Sequence, residues 1–378
     1  MSDIAISEPL GAPAPLESRA IERALSDLWK QATSELAGAR RGAPARTRVL
    51  NLIVVTRGAG AARAALDTVA RLTPRHPHRA IVVNALPHDQ RDQLAAWVQA
   101  HRGEHAHGRP LSWGEQITIE AHGPAIERVP NAILPLLVPD VPVMLWWMAG
   151  APFDDPRFTR FGSLIDRVVV DSATFDAPEA GLARMAELLA AGMRVSDLAW
   201  SRLTPWRELT AQFFDAPAQV AHLRELTSVT VSYEASDAAA DRSQALLLVG
   251  WLAARLGWRV NAPLAARADT SARLRRDDGS EVLVRLRPAK PKDDELDRLA
   301  ALRLESPRTL FSVARDRVPN CAVARAEVQG MPALVRRVRL EHLDQAELIG
   351  AELRLLGRDV TFAEAARVAA ELAGLADG

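Results

Sequence analysis

The sequence predicts an α/β protein, with an amino-terminal mainly parallel sheet carrying helices on both faces, followed by an α+β carboxyl-terminal domain with a largely antiparallel sheet. Three observations predict this. Short, almost continuous β-branched runs recur at residues 49–56, 80–85, 141–147 and 168–171, as expected of strands buried on both faces. Segments with helical spacing separate them, and strand alternating with helix implies parallel pairing. After about residue 195 the pattern changes to short strand-like runs with fewer helices between them.

Taken in order, residues 1–44 read as a Pro-, Ala- and Ser-rich disordered tail, a first helix carrying Ile21, Leu25, Leu28 and Trp29, and a Gly- and Arg-bearing linker. Residues 45–194 form the α/β domain. Its first strand is VLNLIVVT (49–56), followed by a helix over 61–72, the strand AIVVNA (80–85) and a helix over 89–100. Residues 113–121 alternate Ile117 and Ile119 with Thr118 and Glu120, which suits an edge strand that runs antiparallel with one face wet. A helix over 124–137 leads into the strand ending Met144-Leu145-Trp146-Trp147. VVVD (168–171) is the next strand, and Asp176 with Glu179 has the spacing of a capping box for a helix to about 191.

Residues 195–378 form the α+β domain. Thr204-Pro205 starts a helix with proline at the first helical position. A second helix over 217–224 and a strand over 227–233 follow. The apolar helix 244–256 stops at Gly257. Strand-like runs come at 273–275, 282–286, 310–315, 322–328 and 333–338. Helices over 344–355 and 362–375 close the chain, with Thr361 and Glu364 spaced to box the second.

The bulk numbers limit the function classes. Forty-seven basic residues balance 47 acidic ones, so no net field attracts nucleic acid or a membrane surface. All but three of the basic residues are arginines, which reads as genome base composition rather than phosphate chemistry. Cys321 is the sole cysteine, so an internal disulfide is not available and a reducing compartment is implied. The amino terminus lacks a basic start and an apolar run, and the best apolar stretch, 132–147, is broken by Pro135, Pro139, Asp140 and Pro142. The expectation is a cytoplasmic protein.

The search for a catalytic set, a cofactor motif or a metal site returns none. Arg57-Gly58-Ala59-Gly60 opens a helix after the first strand, but Arg63 stands where a dinucleotide fingerprint needs its third glycine, and Asn84 stands where the ribose acid belongs. His101, His105 and His107, with His76, His78 and His88 upstream, read as loop residues beside Gly103 and Gly108. Asp154 and Asp155 read as loop charges, and Cys321 as a structural thiol. What remains is a concentration of tryptophan and arginine. Trp146 and Trp147 end a strand where ligands of open α/β sheets gather, although one of two adjacent strand residues must face the core. Trp200, Arg202, Trp206, Arg207 and Glu208 form a second group of a composition that dominates protein interfaces, and that equally suits junction packing. On this basis, alanine at Trp206 or Arg207 is expected to weaken partner binding without unfolding the chain.

These segments carry a resemblance. ARTRVLNLIVV (45–55), HPHRAIVV (76–83), EQITIEAHG (115–123), LLVPDVPVMLWW (136–147), DRVVVDSATF (166–175), DLAWSRLTPWRELTAQFFD (197–215) and LLLVGWLAARLGW (246–258) resemble, in order and spacing, the OpcA family of glucose-6-phosphate dehydrogenase assembly proteins. The resemblance implies an allosteric activator in the oxidative pentose phosphate pathway of carbohydrate metabolism. Its partner would be glucose-6-phosphate dehydrogenase, and it would have no chemistry or cofactor of its own. The thiol-based redox control of some photosynthetic members needs regulatory cysteines, and Cys321 alone rules out an intramolecular disulfide switch. The alternative is a sugar-phosphate or nucleotide-binding sensor or enzyme using His76, Arg79, Trp147, Asp171 and Ser172 at strand ends.

Overall fold

The computed structural model describes residues 14–15, 17–38, 48–103, 112–234, 242–264, 271–289, 299–355 and 357–375. Most of the expected tail and linker, and the positions His105 and His107, lie outside the described residues, while Ala14–Pro15 of the expected tail form a short strand. Two compact units emerge, one of Met1–Val170 with Asp344–Leu356, the other of Asp171–Leu343 with Gly357–Gly378.

The first unit runs β1 (Ala14–Pro15), α1 (Ser18–Gly38), β2 (Leu50–Arg57), α2 (Ala59–Leu72), β3 (His78–Leu86), β4 (Gln93–Gly103), β5 (Ser112–His122), α3 (Val129–Ile133), β6 (Val143–Trp147), α4 (Pro156–Phe161) and β7 (Arg167–Val170). Its strands lie in the order β1-β4-β5-β3-β2-β6-β7. The pairs β5–β3, β3–β2, β2–β6 and β6–β7 are parallel, and β4 joins β5 antiparallel. The run β5-β3-β2-β6-β7 is a doubly wound order that reverses direction between β2 and β6. The β-branched runs read from sequence are its interior: Leu52, Ile53, Val54, Ile81, Val82, Val168 and Val169 are all buried.

Three expectations are corrected here. Residues 93–103 are a strand, not part of a helix over 89–100. QLAAWVQAH has good helix formers, but the open edge of β5 supplies an eleven-residue antiparallel register that outweighs propensity. β5 is consequently an interior strand parallel to β3 rather than an edge strand, with Ile117, Ile119 and Thr118 all buried. The segment 123–136 is broken into α3 flanked by 3₁₀ turns at Gly123–Arg128 and Leu134–Leu136, with Pro124, Pro130 and Pro135 preventing one continuous helix.

The second unit runs α5 (Pro178–Ala190), β8 (Val195–Asp197), α6 (Leu198–Arg202), α7 (Thr204–Ala211), α8 (Pro217–Val220), β9 (Ser228–Glu234), α9 (Ser243–Leu256), β10 (Arg259–Ala262), β11 (Ser271–Arg275), β12 (Glu281–Ala289), β13 (Leu299–Glu305), β14 (Thr309–Arg315), β15 (Cys321–Val328) and β16 (Leu334–Arg339). The chain then places α10 (Gln345–Glu352) against α2 of the first unit and returns with α11 (Val360–Leu372). An eight-stranded sheet takes the order β10-β11-β12-β9-β13-β14-β15-β16. Among the described strand pairs of this sheet, β12–β9 alone is parallel. Helix α11 packs on α9 and α5. Gly250 lets the helix backbones meet, since a Cβ there would lie 2.3 Å from the Ala365 carbonyl oxygen.

Two caps differ from expectation. Helix α5 begins after Ala177 with no side-chain cap, because proline at its first position leaves one fewer N–H to satisfy. Asp359, not Thr361, caps α11, its carboxylate accepting from Phe362 N–H at 2.8 Å. The described capping box belongs to α10, between Asp344 and Glu347.

Candidate functional site

In a doubly wound sheet the ligand crevice opens outside the carboxyl ends of the strands, where the order reverses. Here that is the space beyond β2 and β6. Gly58, at φ 87°, makes the turn into α2, a backbone conformation that glycine adopts without a Cβ penalty. Opposite it, β6 ends in Trp146 and Trp147, whose side chains alternate across the sheet and are both buried, at 1% and 2% exposure. Trp147 meets Phe158 edge-on at 6.2 Å, and Phe158 meets Phe153 the same way at 6.1 Å. Arg157 beside them is held by Asp155, which caps α4. Burial pushes the Asp155 carboxyl up, but the Arg157 hydrogen bonds outweigh it and hold it below its ordinary range.

What is left is a shallow depression with room for about one water molecule, walled by Val55, Val83, Ala85, Trp147, Arg157 and Phe161. Small-molecule sites occupy roughly 300–1,000 Å³ with several convergent polar groups. Trp147 Nε1 and Asn84 Oδ1 have no hydrogen-bond partner among the described residues. Trp147 lines this depression at the carboxyl end of β6.

His76 and Arg79 sit at the opposite end of the sheet. Arg79 is the second residue of β3, paired in register with Glu115 of β5. Its guanidinium donates to Glu115 Oε2 at 2.8 Å, to Glu22 Oε1 at 2.5 Å and to the Leu136 carbonyl at 2.8 Å. Trp29 Nε1–H and Arg48 also donate to Glu115. Burial pushes the Glu115 carboxyl up, yet Arg48 and Arg79 outweigh it and hold it low. This is a closed ion-pair network that ties α1 to the sheet. His76 is half-buried near α10, with its pKa lowered by burial and by Arg354 and Arg75. The β3 strand separates these two residues from Trp147, so the proposed phosphate set does not assemble.

In the second unit, Asp171, Ser172 and Arg202 do come together, around a residue that sequence reasoning passed over. Arg202 grips Asp171 with two donors, at 2.8 and 2.7 Å. Ser172 donates its N–H to Asp197 Oδ1 at 2.9 Å and its hydroxyl to Oδ2 at 2.7 Å. Asp197 also caps α6 through Ala199 N–H. Full burial, and then the Asp171 charge, push the Asp197 carboxyl up to about 7. A near-neutral carboxylate beside a serine hydroxyl has the chemistry of a proton acceptor. Both residues are fully buried, however, at 0% exposure, so no substrate reaches them. The arrangement fixes the 171–174 turn to the start of α6. The sequence signal for it was an aspartate between a strand and a helix, the usual place of a capping residue.

The tryptophan group is also interior, which corrects the expectation of an exposed aromatic surface: Trp200 and Trp206 are 4% and 1% exposed. Trp200 Nε1–H donates to Asp359 at 3.0 Å, its ring lies 5.5 Å from Phe362, and the Arg207 guanidinium stacks 3.5 Å above it. Arg207 also donates to Thr204 at 2.8 Å. Glu208 is exposed and Arg207 half-buried, so these two carry what the group presents to solvent. Of the histidine cluster, His101 is a buried strand residue whose Nε2 contacts Gln116 at 2.7 Å, and no group that could hold a metal ion exists among the described residues. No described helix is long and apolar enough to cross a membrane.

Comparison with known proteins adds the family. Residues 69–187 match the model described as the glucose-6-phosphate dehydrogenase subunit N-terminal domain, and residues 193–366 match the corresponding C-terminal domain. A relative from Nostoc punctiforme, named putative OxPP cycle protein OpcA, is 42% identical over 145 residues, 38% of this chain and 30% of the relative. A Synechocystis protein of the same name is 35% identical over 166 residues, 44% of this chain and 34% of its own length. The chain thus matches about a third of the length of these curated relatives. Among solved structures, a 3-ketoreductase from Actinomadura kijaniata aligns at 12% identity and TM-score 0.48, over 86% of this chain and 96% of its own. An NAD binding oxidoreductase from Klebsiella pneumoniae aligns at 11% identity and TM-score 0.48, over 87% and 97%. With both domain models matched in order along one sequence, this chain belongs to the OpcA family.

Proposed function

We propose that this chain is a non-catalytic assembly and activating protein, which binds glucose-6-phosphate dehydrogenase in the cytoplasm and favours its active oligomer or conformation. The observation that carries the proposal is the pair of matched domains, both described as parts of a glucose-6-phosphate dehydrogenase subunit. The geometry supports it. Trp147 and Phe158 pack at the carboxyl end of β6 and leave only a shallow depression where doubly wound folds bind ligands. Asp197, the one carboxyl among the described residues pushed up toward neutrality, is buried in the interior.

Activation of this kind works by preferential binding. A protein that prefers one state of its partner shifts the population by its differential affinity and by no more than that. A preference of about 2.7 kcal/mol changes the ratio of states about a hundredfold. The test is a titration of this chain into a dehydrogenase assay at limiting enzyme. The expected result is a saturable rise in rate or fall in KM, with no turnover by the chain alone. Unchanged dehydrogenase kinetics at saturating chain, or substrate conversion by the chain alone, overturns the proposal.

A further inference from the structure

Burial alternates along strands of the second unit's eight-stranded sheet, so one face is core and the other is partly exposed among the described residues. Along β12, Val282, Val284 and Leu286 are buried, while Leu283 and Arg285 between them are partly exposed. The same alternation runs through β13 and β14. Register aligns residues of the other face into a row across six strands: Arg285 pairs with Thr230, Thr230 with Arg303, Arg303 with Ser312, Ser312 with Arg325, and Arg325 with Val335, with Thr230 itself buried between its two arginine neighbours. Neighbouring strands lie about 4.8 Å apart, so three guanidinium side chains repeat at roughly 10 Å, separated by small hydroxyl residues.

We propose that this open face docks an acidic surface of the partner protein. The inference rests on the reading that the chain binds a dehydrogenase, and adds where and by what chemistry it does so. Charge is the first argument. The chain as a whole is neutral, yet register from β11 across to β16 puts eight arginines on this face, Arg285, Arg303 and Arg325 among them, with four glutamates, Glu234, Glu281, Glu305 and Glu327. Arg303 and Arg325 are about half exposed, and among the described residues they form ion pairs along their own strands, at 2.9 Å to Glu305 and 3.0 Å to Glu327. Exposed pairs of that kind contribute roughly 0–1 kcal/mol, so the guanidinium groups are readily re-paired. Arg285 makes no ion pair with a described residue. Arginine presents a planar fork suited to carboxylates.

Area is the second argument. Six strands span about 29 Å, and seven residues along each span about 23 Å, giving roughly 650 Å². A stable interface uses about 800 Å² from each partner. An acidic partner fits better than a second copy, because an isologous contact would set one arginine-rich face against another. It also fits better than nucleic acid, because arginines about 10 Å apart with glutamates between them suit discrete carboxylates rather than the continuous charge of a phosphate backbone.

The test compares the full chain with Arg303→Glu/Arg325→Glu and the milder Arg303→Gln/Arg325→Gln, and with Arg184→Glu on exposed α5 as control. Binding to the dehydrogenase is measured by calorimetry at two salt concentrations, folding by circular dichroism, and self-association by sedimentation. The expected result is at least tenfold weaker binding for the Glu pair, a smaller loss with shallower salt dependence for the Gln pair, and wild-type binding for the control. If wild type binds and both pairs bind equally well, the face is wrong while the functional reading stands. If wild type does not bind at all, both fall. If the pairs lose self-association or RNA binding but keep the dehydrogenase, another occupant owns the face and the proposal is overturned.

Discussion

Trp206 shows how burial changes the meaning of a residue. Tryptophan next to arginine has the composition of an interface hot spot, but at 1% exposure Trp206 is core. Trp206→Ala is therefore expected to cost about 3–5 kcal/mol of stability, read as a lowered denaturation midpoint, rather than selectively weakening partner binding. Arg79 is a second such residue. Its removal leaves Glu115 buried and short of a donor, and Arg79→Met is expected to destabilise by about 3–5 kcal/mol. Asp197 gives a pH signature. Its folded-state pKa is raised from 3.8 to about 7, so the native state binds this proton more tightly than the unfolded chain does. The stability from that proton is fully present below about pH 4 and is lost as pH rises through about 7. Urea midpoints of wild type and Asp197→Asn, followed from pH 5 to 8, are expected to show a pH-dependent decline in wild type that the variant lacks.

At the scale of elements, the interior strands were legible because buried parallel strands are nearly uninterrupted β-branched runs, as β2, β3 and β7 are. Strand β4 was not, because Leu, Ala and Gln favour helix and only the register with β5 decides otherwise. Strand β13 was passed over because its Leu-Ala-Ala-Leu-Arg-Leu-Glu has the same ambiguity. The capping box assigned to Asp176 failed because proline starts α5 two residues later. Candidate sites were less legible still. Spacing located Asp171, Ser172 and Arg202, but the tertiary contacts with Asp197 that define their role have no signature along the chain. Packing of α9 on α11 makes its own prediction. Gly250→Ala places a methyl against the Ala365 carbonyl at 2.3 Å, too close without a backbone shift. The expected loss is about 1–3 kcal/mol, seen as a lower Tm with unchanged secondary structure.

At the scale of the whole chain, the family assignment and the geometry of each unit point the same way. The first unit has a doubly wound strand order with Trp147 lining a shallow depression at its strand ends. The second has a broad sheet with one partly exposed face rich in arginine. The proposed function has the chain act through its surface. The most direct measurement of that claim is the mass of glucose-6-phosphate dehydrogenase by sedimentation velocity, with and without this chain, with activity assayed across the same fractions. The account predicts a heavier species containing both proteins and a higher specific activity in those fractions. Separate sedimentation of the two proteins, with dehydrogenase activity unchanged, would contradict it.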